Sequence, residues 1–462
     1  MLGIIGCGAA FCGTNPSYTA GELKHTIRNS QANIIICDPD VLGDAVTTAT
    51  NDCGIPNSNL LVLDSPSASQ APSISQSFAS WRTLLTHGEA DWLRFDNETK
   101  SRNTTAFLCF SSGTTGLPKA AQLSHYNLVA EHTLVFEYRP HPYPRRRLIA
   151  LPMFHAATAP STHTSALKSG HQQFIMRRYD PKVFIAMIEK HRITDLVLVP
   201  PQVISLLALP LSPATKRHKF RTVRCAWGGG APLDASTQNA FAALLPPSSP
   251  FTQIWAMTET CCFASLISYP EQDDTGSVGR FLPNIDVKLL DDDGNDISGY
   301  GVPGELAVRG PTVTRGYVGR GRALDFDDEG YFRTGDILYC DKESGKWYIV
   351  DRKKELIKVR GFQVAPKELE GVLLEHPGIA DAAVLGVRNE GGDSELVRAY
   401  VVRKGGVELG EMDVKRWVEE RLAKYKWLEG GVRFLEILPK TASGKILKRV
   451  LREGEAKLGA KL

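Results

Sequence analysis

Short apolar runs alternate along this chain with longer stretches whose apolar residues recur every three or four positions. The runs at 106–110, 147–151, 195–199, 223–227 and 251–255 have strand length, and helical patterns separate them. That alternation predicts parallel strands covered by helices on both faces, the α/β plan. Ligands of such sheets gather at the carboxyl ends of strands, so the loops that follow these runs are where chemistry is expected. Upstream, residues 20–30 carry a helical period, and Ala32-Asn33-Ile34-Ile35-Ile36-Cys37 reads as a buried strand stopped by Asp38-Pro39. The stretch 65–80, rich in Ser, Gln, Ala and Pro, reads as a surface loop.

After about residue 276 the texture changes to glycine-rich turns between alternating strands, with Asp291-Asp292-Asp293-Gly294 and Asp327-Asp328-Glu329-Gly330 as turn signals. A small β subdomain is expected there. Beyond Asp351 the chain becomes denser in Lys, Arg and Glu and shows amphipathic helical patterns at 366–375 and 411–423. The division expected is a large N-terminal domain over 1–350 and a smaller α+β domain over 351–462, long enough to fold by itself.

Composition narrows the function classes. The 462 residues are 42% hydrophobic and 23% charged, ordinary for a folded globular protein. Lys and Arg number 54 against 51 Asp and Glu, a net charge of +3, too weak a field to nominate nucleic acid or a membrane surface as partner. No run approaches the roughly 20 apolar residues of a membrane span. The nine cysteines lack paired metal-ligand spacing and several lie inside apolar runs, so they are expected to be reduced and mostly buried. The chain ends Ala460-Lys461-Leu462, close to the Ser-Lys-Leu address read by the peroxisomal import receptor. The alternatives are an accidental end to a Lys-rich tail and a cytoplasmic enzyme.

The strongest chemical signal is Ser111-Ser112-Gly113-Thr114-Thr115-Gly116-Leu117-Pro118-Lys119, directly after an expected strand and ahead of a helix opening near Ser124. Glycines let backbone N–H groups approach an anion, the hydroxyls add donors and Lys119 adds charge; composition alone also allows a surface turn. The glycine spacing differs from a Walker A loop. Trp255-Ala256-Met257-Thr258-Glu259-Thr260 follows another strand, and a carboxylate beside phosphates suits Mg²⁺. A helix N-terminal Glu is the bland reading of Glu259. In Tyr331-Phe332-Arg333-Thr334-Gly335-Asp336 and Asp351-Arg352-Lys353-Lys354-Glu355-Leu356-Ile357-Lys358, Asp336 can take both ribose hydroxyls and Arg352 can fork onto ribose or phosphate oxygens. The second segment reads equally as a solvated helix face. Pro439-Lys440-Thr441-Ala442-Ser443-Gly444-Lys445 presents a lysine on a loop, able to reach a site built by another domain or simply to face solvent.

Taken in order with Leu151-Pro152-Met153-Phe154-His155, Gly229-Gly230-Ala231-Pro232, Gly276-Ser277-Val278-Gly279-Arg280 and Gly361-Phe362-Gln363, these motifs resemble the adenylate-forming (AMP-binding) acyl-CoA synthetases over nearly the whole chain. The nearest likeness is to 4-coumarate:CoA ligases and their fungal relatives. The resemblance implies attack of a carboxylate on the α-phosphorus of Mg·ATP, giving acyl-AMP, followed by displacement of AMP by the thiol of coenzyme A. It also implies a mobile C-terminal domain. Ser111, Ser112, Gly113, Thr114, Thr115, Gly116 and Lys119 would hold the β,γ-phosphates and Thr258 the α-phosphate. Glu259 would hold Mg²⁺, Gly230 and Ala231 would border adenine, and Asp336 and Arg352 would take the ribose. Lys445 would touch the carboxylate and α-phosphate, Lys354 would be the hinge, Lys358 and Gln363 would serve catalysis and nucleotide contact, and His155 would sit beside the acyl pocket.

The acid expected is aromatic, arylalkanoic or a medium-chain or specialised fatty acid, in secondary metabolism. A stand-alone adenylation enzyme that loads a carrier protein and a non-catalytic nucleotide-binding paralogue are the alternatives. Two departures stand out: Ile254-Trp255-Ala256 replaces the family's usual Gly-Tyr-Gly, and residues 3–18 resemble a segment roughly 70 to 90 residues into a typical relative. The family's first segment is therefore expected to be lacking.

Overall fold

The computed structural model describes residues 1–64, 78–111, 118–231, 233–359, 362–388, 395–440 and 444–459. The expected surface loop at 65–80 lies mostly outside the described residues, as do Ser112, Gly113, Thr114, Thr115 and Gly116 of the glycine-rich loop, the side chain of Gln363, and Ala460-Lys461-Leu462.

Four of the five apolar runs form one parallel sheet of five strands, in the order Phe251–Gln253, Cys225–Gly228, Asp195–Leu198, Arg146–Ile149 and Gln172–Ile175. Helices Pro181–Lys190, Pro200–Leu207 and Ala235–Ala242 cover it, and Phe184, Ile188, Leu198, Val203, Phe241 and Phe251 fill the space between. Each of these helices begins just past a strand or turn, two of them with proline in the first turn, where the missing N–H costs nothing.

The fifth run belongs elsewhere. Thr105–Ser111 lies in a separate three-stranded sheet, parallel to Phe11–Cys12 and antiparallel to Lys119–Ser124. Lys119 is thus the first residue of a strand, so a strand stands between the glycine-rich motif and the helix expected near Ser124. The helix does follow, at His125–His132, with Ser124 as its cap: Ser124 Oγ accepts from Asn127 N–H at 3.2 Å and Asn127 Oδ1 accepts from Ser124 N–H at 2.9 Å.

The run 251–255 also divides. Pairing to the parallel sheet stops at Gln253, and Trp255–Met257 turns to pair antiparallel with Cys262–Leu266, with a bulge between Trp255 and Ala256. A four-stranded antiparallel sheet of Asp286–Leu290, Gly304–Arg309, Phe332–Cys340 and Trp347–Arg352 forms the small β part foreseen after residue 276. One apolar cluster that includes Trp227, Ile254, Trp255, Phe263, Leu306 and Phe332 knits these sheets together.

The C-terminal part has its own core, built from Ile357, Val364, Leu369, Val384, Val401 and Val418 among others. Its sheet pairs Ile379–Arg388 antiparallel with Glu395–Arg403, which runs parallel to Val432–Phe434. Helices Pro366–Leu374 and Glu411–Glu419 pack on it. The Arg/Lys/Glu-rich stretch open to reading as a helix face is a strand ending at Arg352, a turn, and the strand Ile357–Val359. All nine cysteines are free thiols and six of them are buried. Among the described residues, no helix is long and apolar enough to cross a membrane.

Candidate active site

The carboxyl ends of the parallel strands converge with the antiparallel sheets on a single region. Cys225–Gly228 runs out into Gly229 and Gly230, and Gly230 sits at φ +83, a conformation that disfavours any side chain. The half-buried Ala231 follows. After Arg146–Ile149 the chain turns through Pro152 to His155, and the buried Arg147 pins this segment by donating from Nη1 to Ser161 O at 3.0 Å. His155 Nδ1 accepts from Ala157 N–H at 3.1 Å, which leaves the proton of the neutral ring on Nε2.

The groups around Glu259 are tied by a chain of hydrogen bonds that starts at the helix cap. Asn127 Nδ2 donates to Pro311 O at 2.7 Å and Val313 O at 3.0 Å, fixing the segment that carries Thr314 and Tyr317. Thr314 N–H then donates to Glu259 O at 2.7 Å, and Tyr317 O–H donates to Glu259 Oε1 at 2.6 Å. Glu259 and Thr258 are buried. Burial, then the Glu259 charge, pushes the Tyr317 hydroxyl pKa up, so it remains a donor. Lys119 Nζ stands 5.0 Å from the Tyr317 ring centre. Ser111 Oγ, at the mouth of the glycine-rich loop, is buried beside the Tyr317 hydroxyl but makes no hydrogen bond of full geometry among the described residues. Such an orphan is costly unless a ligand satisfies it, and a phosphate oxygen would do so.

Across the site, Asp336 and Arg352 are direct cross-strand partners. Arg352 Nε lies 3.2 Å from Asp336 Oδ1, and Trp255 Nε1–H donates to Asp336 Oδ2 at 2.9 Å. The buried Asp351 joins the two parts of the chain: its Oδ1 accepts from Arg352 N–H at 2.7 Å and its Oδ2 from Lys367 N–H at 3.0 Å. Lys354 sits in the turn just past this joint.

The C-terminal part delivers Lys445 to the same region. Gly444, at φ +83, packs so closely on Pro201 that a β-carbon there would overlap Pro201 Cγ; Pro201 lies in the first turn of the helix Pro200–Leu207 that follows Asp195–Leu198. Burial, then the neighbouring Arg352 charge, pushes the Lys445 pKa down to about 8, against the pull of Glu355 and Asp336. Burial and the Lys445 charge in turn lower the pKa of His155. The buried Lys448 ion-pairs with Glu370 at 2.9 Å and Glu355 at 3.3 Å, holding the loop's far end.

The structure therefore gathers Ser111, Lys119, Thr258, Glu259, Gly230, Ala231, His155, Asp336, Arg352 and Lys445 around the strand ends. Lys358 and Gln363 stand opposite each other on the hairpin of Ile357–Val359 and Phe362–Val364. Lys358 is exposed and its N–H donates to Glu395 Oε2 at 2.8 Å, which ties this hairpin to the C-terminal sheet. Sequence reasoning missed Tyr317 and Glu355. The turn-rich Gly310-Pro311 and Gly316-Tyr317 flagged a loop but not its reach to Glu259. Among the described residues no group of three or more His, Cys, Asp or Glu could hold a metal, so a divalent ion here would need phosphate oxygens beside Glu259.

Two family models match the chain: AMP-binding enzyme over residues 1–318 and AMP-binding enzyme C-terminal domain over 368–445. The chain belongs to the AMP-binding enzyme family. Its reaction is the ATP-dependent ligation of a carboxylic acid to coenzyme A. It is 47% identical over 457 residues to the phenylacetyl-CoA ligase epaB of Aspergillus niger, covering 98% of this chain and 84% of that one. It is 46% identical over 453 residues to the acyl-CoA ligase azaF of the same species, with the same coverage. Among solved structures, ATP-bound MatB from Rhodopseudomonas palustris superimposes with a TM-score of 0.82 at 28% identity, over 98% of this chain and 85% of that one. The o-succinylbenzoate coenzyme A synthetase MenE of Bacillus subtilis, in complex with ATP and magnesium ion, gives 0.77 at 25% identity over 97% and 85%.

Proposed function

We propose that the chain activates an arylalkanoic acid of the phenylacetic type, in secondary metabolism, with the residues gathered at the strand ends as its adenylation site. One observation carries the reading of the site: Gly444 seats on Pro201, placing Lys445 of the C-terminal part where Arg352 and Asp336 act on its charge and it acts on His155. An ammonium there stabilises the charge that builds between an attacking carboxylate and the α-phosphate. The half-buried Ala157, Val197, Ala256 and Met257, adjoining His155, the strand end and Thr258, suit an apolar acid, and the similarity to a phenylacetyl-CoA ligase favours an aryl group.

In the first step a carboxylate oxygen of the acid bonds to the α-phosphorus and the bond to pyrophosphate breaks. Ser111 Oγ, the loop 112–116 and Lys119 hold the β,γ-phosphates, and Thr258 the α-phosphate. Gly230 and Ala231 border adenine, while Asp336 and Arg352 take the ribose. Glu259, braced by Tyr317, would hold Mg²⁺, which when bound neutralises phosphate charge. In the second step the coenzyme A thiolate attacks the acyl carbon and AMP leaves with the oxygen contributed by the acid. Lys354 would be the hinge between 1–350 and 351–462, and rotation about it would bring Lys358 and Gln363 to the thioester step. Ala460-Lys461-Leu462 would be read by the peroxisomal import receptor; removing these three residues should shift a fluorescent fusion from peroxisomes to cytosol.

The test is thioester formation with Mg·ATP, coenzyme A and a panel of phenylacetic, cinnamic, benzoic and C6–C18 fatty acids. Phenylacetyl-CoA should be the dominant adduct. Preference for a fatty acid would overturn the aryl assignment and leave the site chemistry standing.

A further inference from the structure

We infer that Trp255 is a positioning residue that sets the selectivity for the ribose by orienting Asp336. This rests on the ribose role proposed above for Asp336. Three observations carry it. The Trp255 indole N–H donates to Asp336 Oδ2 at 2.9 Å while Arg352 Nε lies 3.2 Å from Oδ1, so each carboxylate oxygen has a partner of its own. The bond is shielded, with Trp255 3% and Asp336 9% exposed, so water competes little for either group. The indole itself cannot tilt freely: its ring packs edge-on against Phe281 at 5.7 Å between centroids, and Phe281 against Trp347 at 5.1 Å.

The bond also joins two separate sheets. Trp255 lies on the strand Trp255–Met257, which runs directly into Thr258 and Glu259, whereas Asp336 lies on the four-stranded antiparallel sheet. The spacing between the phosphate contacts and the ribose carboxylate is thereby fixed through one hydrogen bond. A carboxylate held by its two oxygens in a fixed plane presents its remaining lone pairs to a vicinal diol in one orientation, whereas a carboxylate free to rotate forfeits the second contact. The bulge after Trp255 aims the indole away from the parallel sheet and toward Asp336. Replacement of the family's usual tyrosine by Trp255 therefore acts on nucleotide recognition through Asp336.

The experiment measures dissociation constants for Mg·ATP and Mg·2′,3′-dideoxy-ATP by titration calorimetry, without any acid present, on the full chain and its Trp255→Phe, Asp336→Ala and doubly substituted forms. Phenylalanine keeps the packing ring and removes the N–H. Trp255→Phe should weaken ATP about ten-fold, the worth of a hydrogen bond to a charged group, and leave dideoxy-ATP unchanged. Asp336→Ala should reduce the preference for ATP further than Trp255→Phe does, and Trp255→Phe should then add nothing. Equal weakening of both nucleotides by Trp255→Phe, or no effect on either, overturns the positioning role. If Asp336→Ala leaves the preference for ATP intact, the ribose assignment itself fails, an outcome distinct from the former. Should Trp255→Phe lose its cooperative melt, benzothienylalanine at position 255, with sulfur in place of N–H at nearly constant shape, carries the same comparison.

Discussion

The surroundings of Glu259 and those of Lys445 are built in opposite ways. Glu259, Tyr317, Thr314, Asn127 and Ser124 form one hydrogen-bonded chain inside the large N-terminal part, so that side is organised whatever the C-terminal part does. Lys445 reaches the same region from the C-terminal part, where Gly444 seats on Pro201 and Lys448 pairs with Glu355 and Glu370. One side is preorganised and the other is assembled. The difference teaches that nucleotide binding and acid activation can be separated: the first should survive changes that the second does not.

The sharpest break is Lys445→Ala. Loss of a charge aimed at the developing transition state should slow acyl-AMP formation by roughly 10²–10³-fold, while calorimetric affinity for Mg·ATP stays within about two-fold. Equal loss of both would merge the two sides. Next comes Tyr317→Phe, which removes the 2.6 Å bond to Glu259 and should weaken Mg²⁺-dependent ATP binding about ten-fold. A magnesium titration followed by calorimetry reads it.

Glu355→Gln takes from the buried Lys448 one of its two carboxylates, and should destabilise by about 1–3 kcal/mol, seen as a lower Tm. Burial opposes its ionisation, yet Lys448, Arg352 and Lys445 together hold the Glu355 pKa below its ordinary 4.5. The stability Glu355 contributes is therefore present above pH 4.5 and lost as pH falls through the lower folded value; the Gln variant should lack that acid limb. The smallest effect is a pH limb. With Lys445 pushed down to about 8, kcat/KM for adenylation should be halved near pH 8 and fall beyond it. Stability moves the other way: between about 8 and the ordinary lysine value of 10.5 the unfolded chain holds a proton the folded one lacks, so this residue's contribution rises with pH.

Much of this was legible in the chain. The apolar runs marked four of the five parallel strands, and the loops after them do carry Gly230, His155 and Glu259, because strands buried on both faces are largely apolar. The strand at Lys119 was not legible: Lys119-Ala120-Ala121-Gln122-Leu123-Ser124 has no strong strand bias, and its pairing with Thr105–Ser111 supplies what propensity does not. The break at Ile254 escaped for the opposite reason, since the short run Phe251-Thr252-Gln253-Ile254-Trp255 holds no Gly or Pro to signal that Trp255 changes sheets. Local patterns also could not reveal bonds between distant segments, such as Tyr317 to Glu259 or Lys448 to Glu355, which only tertiary packing creates.

The most direct test of the central claim, that the acid is activated by bonding its own oxygen to the α-phosphorus, uses phenylacetate labelled with ¹⁸O in both carboxylate oxygens. After turnover with Mg·ATP and coenzyme A, mass spectrometry of the products should find one ¹⁸O in AMP and one retained in phenylacetyl-CoA. Unlabelled AMP, or label found instead in free phosphate alongside ADP, would contradict the account.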